Sequence, residues 1–282
     1  MLFRSTTFIQ EGDEVIVFEP AYDCYVPAIE LSGGKPVYIQ MKQPDFHIDW
    51  NEVQKMVNPK TKLIILNSPH NPTGSILTAQ DMKRLEKIVA GTDIVILSDE
   101  VYENMVFDGL EHQSIARFPQ LAERAMIVFS FGKTFHVTGW RVGYCIAPAK
   151  LMNEFRKVHQ YLMYTVNAPI QYALTEFLND PSEYLSVAPL FQEKRDYFQQ
   201  LIKPSRFKLL PCRGTYFQTV DYSAISDERD RAFAERLIKE FGVASIPVSS
   251  FNHDKADHKI LRFCFAKNKH TLEQAAERLM KV

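Results

Sequence analysis

The residues with the clearest chemical potential surround a single lysine at the end of an apolar run. Lys133 follows the run 125–130 (AMIVFS), with the hydroxyl of Ser130 three residues before it and the guanidinium of Arg141 eight residues after it. A lysine in this setting is suited to form a Schiff base with an aldehyde. A hydroxyl and a guanidinium are suited to bind a phosphate. We therefore expect Lys133 to anchor a phosphorylated aldehyde cofactor, with Ser130 and Arg141 on its phosphate.

Lys133 also has other interpretations. Gly132-Lys133-Thr134 resembles the end of a P-loop, but that motif requires a glycine where Ile127 stands. The spacing Ser130-x-x-Lys133 matches the Ser–Lys signature of penicillin-binding enzymes, whose S-D-N and K-T-G elements are absent from the chain. On the lysine alone, a solvated side chain at a strand end remains open.

Asp99 adds a second chemical group at a strand end, because it follows the apolar run 94–98 (IVILS). Ligands of open α/β sheets bind outside the carboxyl ends of the strands. A carboxylate there can pair with the pyridinium nitrogen of pyridoxal phosphate (PLP) and keep it protonated, so that the ring withdraws electrons from a carbanion at the substrate Cα. Tyr102 can donate its phenol proton to the ring oxygen of that cofactor. Capping of a helix that begins at Glu100 is the structural alternative for Asp99, and both roles are compatible.

Three further residues have both a functional and a structural interpretation. Asn71 lies in the turn 67–74 (NSPHNPTG), where two prolines and a glycine restrict the backbone, so its amide can either bind the same ring oxygen or belong to an ordinary turn. Arg262 lies inside the apolar run 260–265, where a guanidinium needs either a substrate carboxylate or an internal Asp or Glu as its partner. Tyr22 follows the first strand and can stack on the cofactor ring, although a core or surface position is commoner for an aromatic residue.

The elements that must position these residues alternate between strands and helices in the first half of the chain. The predicted strands are continuously apolar, as expected for a parallel or mixed sheet that is covered on both faces, and they span 14–18, 36–41, 62–67, 93–98 and 125–130. A helix is predicted over 78–90, with Thr78 as its cap and Asp81 completing a capping box.

The pattern changes near Pro148. Residues 149–178 are predicted to be largely helical, a second helical stretch follows Pro181, and a C-terminal helix is predicted to begin at Thr271 with Gln274 at the capping-box position. Strand-like runs span 207–210, 215–220, 243–246 and 260–265. We therefore predict an α/β large domain over 1–150 with a mostly parallel sheet, and a smaller α+β domain over 151–282.

Composition excludes several function classes. A total of 33 basic and 34 acidic residues gives a net charge of −1, so nothing in the bulk electrostatics indicates a nucleic-acid or membrane partner. The four cysteines are scattered, which argues against a disulfide framework or a metal site and favours a cytoplasmic location. No apolar stretch approaches the roughly 18 residues of a transmembrane helix, and the first residues lack the pattern of a signal peptide.

Taken in order, five motifs resemble those of the class I/II PLP-dependent aminotransferases of fold type I. They are 20–25 (PAYDCY), 67–74 (NSPHNPTG), 98–102 (SDEVY), 130–143 around Lys133, and Arg262. The Gly-Lys-Thr-Phe…Thr-Gly-Trp-Arg-x-Gly form of the lysine motif is similar to the branch of methionine aminotransferase and the kynurenine–oxoglutarate (glutamine K) transaminases. The resemblance runs from about Val15 to the C-terminus, and five ordered motifs are far more specific than one.

The resemblance implies a homodimer that transaminates a methionine, glutamine or aromatic amino acid with a 2-oxo acid through a Schiff base on Lys133. The freed amine would then move the proton from the substrate Cα to the cofactor. The resemblance also implies that Asp99 pairs with the ring nitrogen and that Tyr102 and Asn71 hydrogen-bond the ring oxygen. Ser130 and Arg141 would bind the phosphate. Tyr22 would stack on the ring, and Arg262 would bind the substrate carboxylate.

Two alternatives to transamination accompany the resemblance. The first is β-elimination from cysteine conjugates, which uses the same residues. The second is a catalytically impaired PLP-fold remnant. It arises because family members carry an N-terminal segment, with a closing arm and a phosphate-binding turn, before the position at which this chain begins. We therefore expect the chain to be N-terminally truncated relative to the family.

Overall fold

The computed structural model describes residues 7–282. The main sheet has six strands in the order β2-β1-β3-β4-β5-β6, in which β1 to β5 are parallel and β6 is antiparallel to β5. Their bounds are β1 (Glu14–Glu19), β2 (Lys35–Gln40), β3 (Thr61–Asn67), β4 (Val95–Asp99), β5 (Ala125–Ser130) and β6 (Gly143–Ile146). All five strands predicted for the first half therefore form, and the predicted α/β class with a mostly parallel sheet is confirmed.

Eleven α-helices lie in the described part of the chain after β1. They are α1 (Tyr25–Leu31), α2 (Trp50–Met56), α3 (Ala79–Val89), α4 (Pro119–Ala122), α5 (Phe131–Thr134), α6 (Ala149–Leu162), α7 (Ala168–Leu178), α8 (Ser182–Leu185), α9 (Val187–Ile202), α10 (Asp230–Arg236) and α11 (Lys269–Leu279). The last three, α9 to α11, pack in the core of the second half of the fold. The predicted capping box of α3 is confirmed, because the Thr78 and Asp81 side chains each bond the backbone N–H of the other residue.

One helix prediction is wrong. The C-terminal helix begins at Lys269 rather than at Thr271, because the side chain of Asn268 caps it by accepting a 2.8 Å hydrogen bond from the Thr271 N–H. Residues 149–178 are largely helical, as predicted, and they form two helices, α6 and α7, of which Asn167 caps the second. The family resemblance also implies that residues 2–9 continue a phosphate-binding helix. Residues 2–6 lie outside the described part of the chain, and Thr7 and Phe8 are helical.

A second sheet of four antiparallel strands lies in the C-terminal half, in the order β7-β8-β10-β9. The strands are β7 (Lys208–Leu209), β8 (Phe217–Asp221), β9 (Ile246–Pro247) and β10 (Ile260–Cys264), so the strand predicted over 243–246 forms only at its end. Tyr102, Met105 and Phe107, which follow β4 of the main sheet, pack into the core of this second sheet. The two halves of the fold therefore meet directly behind the end of β4.

The strand order sets where a ligand can bind. From β1 the chain runs to β2 on one side of the sheet, and from β3 it runs through β4 and β5 on the other side. The order thus reverses between β1 and β3, and open α/β sheets bind ligands in the crevice at such a reversal. Asn67 at the end of β3 lies opposite Asp99 at the end of β4, which in turn lies opposite Val128 of β5.

In the described part of the chain, no helix combines the length and the apolar character needed to cross a membrane.

Candidate active site

Lys133 lies on α5, the short helix that starts immediately after β5. Its Nζ donates a 3.0 Å hydrogen bond to the hydroxyl of Tyr216, and the Tyr102 hydroxyl lies 3.4 Å from the same oxygen. The amine is 5.6 Å from the ring centre of Tyr102 and 5.7 Å from that of Tyr216. Lys133 is thus partly buried between two phenols, which does not fit the interpretation of a solvated lysine at a strand end.

Asp99 is 3% exposed at the end of β4. The hydroxyl of Tyr25 donates a 2.7 Å hydrogen bond to Asp99 Oδ2, and the side-chain amide of Asn67 donates to the Asp99 backbone carbonyl at 3.0 Å. A buried carboxylate needs such donors because desolvation otherwise disfavours its charged form. Burial, together with the neighbouring Asp99, raises the pKa of Tyr25 well above its usual range, so this phenol remains a hydrogen-bond donor.

The helix-cap alternative for Asp99 is wrong. The residues that follow it form successive turns, with hydrogen bonds from Glu103 N–H to the Glu100 carbonyl and from Met105 N–H to the Tyr102 carbonyl. The Val101 N–H contacts Asp99 Oδ1 at a long distance of 3.4 Å. Tyr102 and Met105 pack in the core of the second sheet, so the chain after Asp99 leaves the main sheet without forming a helix.

Asn71 and Arg262 meet across the junction of the two sheets. Arg262 Nη1 donates a 2.6 Å hydrogen bond to Asn71 Oδ1, and the guanidinium lies 4.0 Å from the ring centre of Phe217 and 5.0 Å from that of Phe251. Since a guanidinium can only donate, the Asn71 carbonyl faces Arg262, and its NH₂ group faces away from Arg262 and can bind an acceptor. The Asn71 backbone N–H is held at 2.9 Å by the side chain of Asn67.

The surroundings of Arg262 favour an external anion as its partner. Among residues 7–282, no Asp or Glu forms an ion pair with Arg262, so the internal ion pair considered from the sequence is not found there. Burial lowers the pKa of Arg262, because desolvation disfavours the charged form. An anion that reached this guanidinium would be attracted more strongly than in water.

Ser130 and Arg141 lie at the two ends of the turn that follows β5. Thr138 packs closely on Gly132, since a β-carbon on this glycine would lie 2.9 Å from the Thr138 Cα and 3.4 Å from the Ser130 Oγ. The Thr138 hydroxyl donates to the Gly132 carbonyl at 3.0 Å, and Arg141 Nη1 donates to the Thr138 carbonyl at 3.2 Å. The glycine therefore lets the turn fold back so that the Ser130 hydroxyl and Arg141 lie on one short loop.

Tyr22 lies beside this loop and is 38% exposed. Its ring meets that of Tyr25 edge-on at 5.6 Å, so an accessible part of the ring remains for another planar group. Burial raises the pKa of Tyr22, with smaller contributions from Asp99, which raises it, and from Arg141, which lowers it. Tyr22 is therefore within electrostatic reach of both the carboxylate and the guanidinium.

These donors and acceptors fit PLP. The set contains an amine for the aldehyde, a buried carboxylate for the ring nitrogen, a phenol and an amide NH₂ for the ring oxygen, and a hydroxyl and a guanidinium for the phosphate. Lys133 and Tyr102 both hydrogen-bond the hydroxyl of Tyr216, and Arg262 hydrogen-bonds Asn71 directly. Ser130 and Arg141 are placed near Lys133 by the chain itself, on the strand end and the loop that flank α5.

Sequence reasoning missed two residues of this site. Tyr25 lies in the motif 20–25 and is the first residue of α1, three residues after Tyr22. This spacing could have indicated a second aromatic residue at the site. Tyr216 lies just before β8, more than 80 residues from Lys133, and no local signal connects the two.

Comparison with known proteins points to one family. The family model for aminotransferases of class I and II matches residues 3–279. Methionine aminotransferase from Escherichia coli is 48% identical over 275 residues, which cover 97% of this chain and 71% of that protein. Kynurenine–oxoglutarate transaminase 1 from Rattus norvegicus is 34% identical over an alignment of 311 positions, gaps included, which covers 99% of this chain and 74% of that protein.

Solved structures agree with these relatives. An Escherichia coli structure identified with a methionine aminotransferase function superposes with a TM-score of 0.97 at 47% identity, covering 100% of this chain and 75% of that one. N-succinyldiaminopimelate aminotransferase from Mycobacterium tuberculosis superposes with a TM-score of 0.95 at 32% identity, covering 99% of this chain and 74% of that one.

Proposed function

Because this chain belongs to the class I and II aminotransferases, which depend on PLP, we propose that its amino donor is methionine, glutamine or an aromatic amino acid and that its acceptor is a 2-oxo acid. One observation carries the assignment of the site to this reaction. The Lys133 amine donates to the phenol of Tyr216, which lies beside the phenol of Tyr102, at the sheet edge that also carries the buried Asp99. Similarity to the methionine and kynurenine–oxoglutarate enzymes supports the choice of donors.

The residues have separate roles in this proposal. When bound, PLP supplies an electron-withdrawing ring that stabilises negative charge on the substrate Cα. Asp99, held by Tyr25, keeps a proton on the ring nitrogen, and Tyr102 and the Asn71 NH₂ group orient the ring oxygen. Ser130 and Arg141 bind the phosphate, and Tyr22 packs on the ring. These residues bind and orient the cofactor without moving the transferred proton.

Lys133 and Arg262 act on the substrate. Arg262 binds the α-carboxylate with the donors that Asn71 does not use, which fixes the Cα of the amino acid relative to the amine of Lys133. Lys133 holds the cofactor through its amine, and the amine is released to move the proton at Cα as a general base and acid. β-Elimination and an inactive remnant are not favoured, because the matching relatives are named as aminotransferases.

We also propose a cytoplasmic homodimer, built from a PLP-binding part over 1–150 and a C-terminal part over 151–282. Support for the dimer comes from the aromatic surface around α6 and α7, where Tyr161, Tyr164 and Tyr172 are 84%, 85% and 77% exposed. Exposed apolar patches of this kind are characteristic of protein interfaces.

Sedimentation of the wild-type chain and of a Tyr161→Ser/Tyr164→Ser/Tyr172→Ser variant tests whether the chain forms a dimer through this surface. A monomer at micromolar concentration in the wild type contradicts the dimer.

Two linked measurements test the reaction and the anchor. The protein is loaded with PLP, reduced with borohydride and digested, and the modified peptide is identified by mass. We expect the adduct on Lys133 and its loss in Lys133→Arg, whereas Lys150→Arg, which changes an exposed lysine nearby, retains it. Amino transfer is then measured with methionine, glutamine, phenylalanine and kynurenine as donors and a 2-oxo acid as acceptor. An adduct on another lysine rejects the anchor, and no transfer from any of the donors rejects the substrate proposal.

A further inference from the structure

We propose that Tyr216 is a further catalytic residue of this site, whose hydroxyl holds the Lys133 amine and accepts a hydrogen bond from it when it carries the proton taken from the substrate. This inference rests on the proposed function, because it concerns the same lysine. The Tyr216 oxygen is 3.0 Å from Lys133 Nζ and 3.4 Å from the Tyr102 hydroxyl. It therefore lies between the amine that reacts and the phenol assigned to the cofactor ring.

The backbone before Tyr216 is anchored to both neighbouring turns of the site. Thr215 is fully buried, and its N–H donates to the Met105 carbonyl at 3.1 Å, just after the turn that carries Tyr102. The Gly214 N–H donates at 3.0 Å to the Gly74 carbonyl, at the end of the turn that carries Asn71. A β-carbon on Gly214 would lie 2.7 Å from the Met105 carbonyl oxygen, so only glycine permits this approach.

The ring of Tyr216 is held separately from its hydroxyl. It packs edge-on against Tyr102 at 5.3 Å, against Phe217 at 4.6 Å and, tilted, against Phe191 at 5.7 Å between ring centres. Phenylalanine at position 216 would preserve all three ring contacts and remove only the oxygen. The ring thus has a packing role, and the hydroxyl adds a role at Lys133 that can be tested by itself.

The proton balance explains why an oxygen is useful here. As the substrate Cα–H bond breaks, its electron pair remains on the substrate carbon, and a new N–H bond turns the Lys133 amine into an ammonium. An ammonium can only donate hydrogen bonds, whereas a phenolic oxygen can accept one. Tyr216 neither gains nor loses a proton in this step. It stabilises the charged product of the transfer, so it lowers the barrier without changing how the substrate is bound.

Tyr216→Phe is compared with Tyr197→Phe, which removes a hydroxyl that donates to Glu273 away from Lys133. We expect Tyr216→Phe to lower kcat at least about tenfold, as for a lost hydrogen bond to a charged group. KM for the amino acid, PLP affinity and Tm should change little. The primary isotope effect with Cα-deuterated methionine should rise, because proton transfer becomes more rate-limiting. Tyr197→Phe should leave kcat unchanged.

A second measurement does not depend on amino transfer. In cofactor-free protein, the acetylation of Lys133 at pH 8 is compared with that of Lys150 in the same digest. We expect Tyr216→Phe to increase this ratio, because the Lys133 amine is no longer held by a hydrogen bond to the Tyr216 oxygen, and we expect Tyr197→Phe to leave it unchanged. An unchanged labelling ratio in Tyr216→Phe overturns the inference about Tyr216, whether or not the wild type transfers amino groups. Absence of amino transfer in the wild type rejects the proposed function instead. A fall in kcat accompanied by weaker PLP binding and a lower Tm also overturns the inference about Tyr216, because those changes indicate a packing role alone.

Discussion

Removal of the Tyr25 hydroxyl gives a direct measure of how the protein maintains a buried carboxylate at Asp99. The two side chains are each 3% exposed, and the phenol donates to the carboxylate at 2.7 Å. Tyr25→Phe leaves the ring in the core beside Val17 and Ile29 and removes only the donor. The variant therefore isolates one hydrogen bond to one buried charge.

The expected magnitude follows from the type of bond. Hydrogen bonds to charged groups contribute about 1.5–3 kcal/mol to stability, more than a neutral pair, and a buried acceptor that loses its donor costs about the same. We therefore expect Tyr25→Phe to lower the free energy of unfolding of the cofactor-free protein by about 2 kcal/mol. PLP should offset part of the loss, because its protonated ring nitrogen would supply another donor to the carboxylate.

A double-mutant cycle with Asp99→Asn measures the interaction itself. Urea unfolding at pH 7.5 is followed for the wild type, Tyr25→Phe, Asp99→Asn and the double variant. In the Asp99→Asn background the carboxylate is gone, so Tyr25→Phe should cost much less, and the coupling should be at least about 1 kcal/mol. If the two changes are additive to within about 0.5 kcal/mol, Tyr25 does not stabilise the Asp99 carboxylate and the reasoning fails.

Three further outcomes follow from the structure. Arg262→Lys should lower kcat/KM for amino acids about 10- to 100-fold while PLP affinity stays constant, since a lysine lacks the two-point grip of a guanidinium; equal kcat/KM values would reject Arg262 as the carboxylate ligand. Gly132→Ala should weaken PLP binding about tenfold in a fluorescence titration, because its β-carbon would meet Thr138, whereas Gly139→Ala, which has open space, should bind normally; equal affinities would show that the turn does not shape the phosphate site. Burial raises the pKa of Glu103 to about 7, so its ionisation lowers the stability of the fold as the pH rises from about 5 to 7. Glu103→Gln should have the same Tm as the wild type at pH 5 and a higher Tm than the wild type at pH 8. If variant and wild type have equal Tm at both pH values, the burial of the Glu103 carboxyl is contradicted.

Local sequence patterns were sufficient for most of the secondary structure. The runs 14–18 and 125–130 became β1 and β5 because consecutive apolar residues can be buried on both faces of a parallel sheet. Thr78 and Asp81 begin α3 where predicted, because a capping box is satisfied within four residues. The predicted start of α11 was wrong because Asn268 and Thr271 are both acceptable caps, and the local sequence does not decide between them.

The sequence likewise predicted the chemical groups of the candidate site, whereas it did not predict the contacts between them. A lysine after β5 and a carboxylate at the end of β4 were recognisable, since strand ends of a parallel sheet share one edge. An arginine inside an apolar strand was recognisable because a buried guanidinium needs a partner. The sequence could not distinguish a substrate ligand from an internal ion pair for Arg262. The structure brings Arg262 to Asn71, 191 residues away, and among residues 7–282 it pairs Arg262 with no Asp or Glu.

The sequence alone therefore determined which groups are present and on which strand ends they stand, because local periodicity and capping act over a few residues. Only the tertiary structure placed Tyr216 at Lys133 and Tyr25 at Asp99, over separations of 83 and 74 residues. These contacts depend on how the second sheet packs against the turn after β4 and how α1 packs beside the end of β1. Side-chain contacts of that kind are set by burial and shape across the whole fold, and no local pattern encodes them.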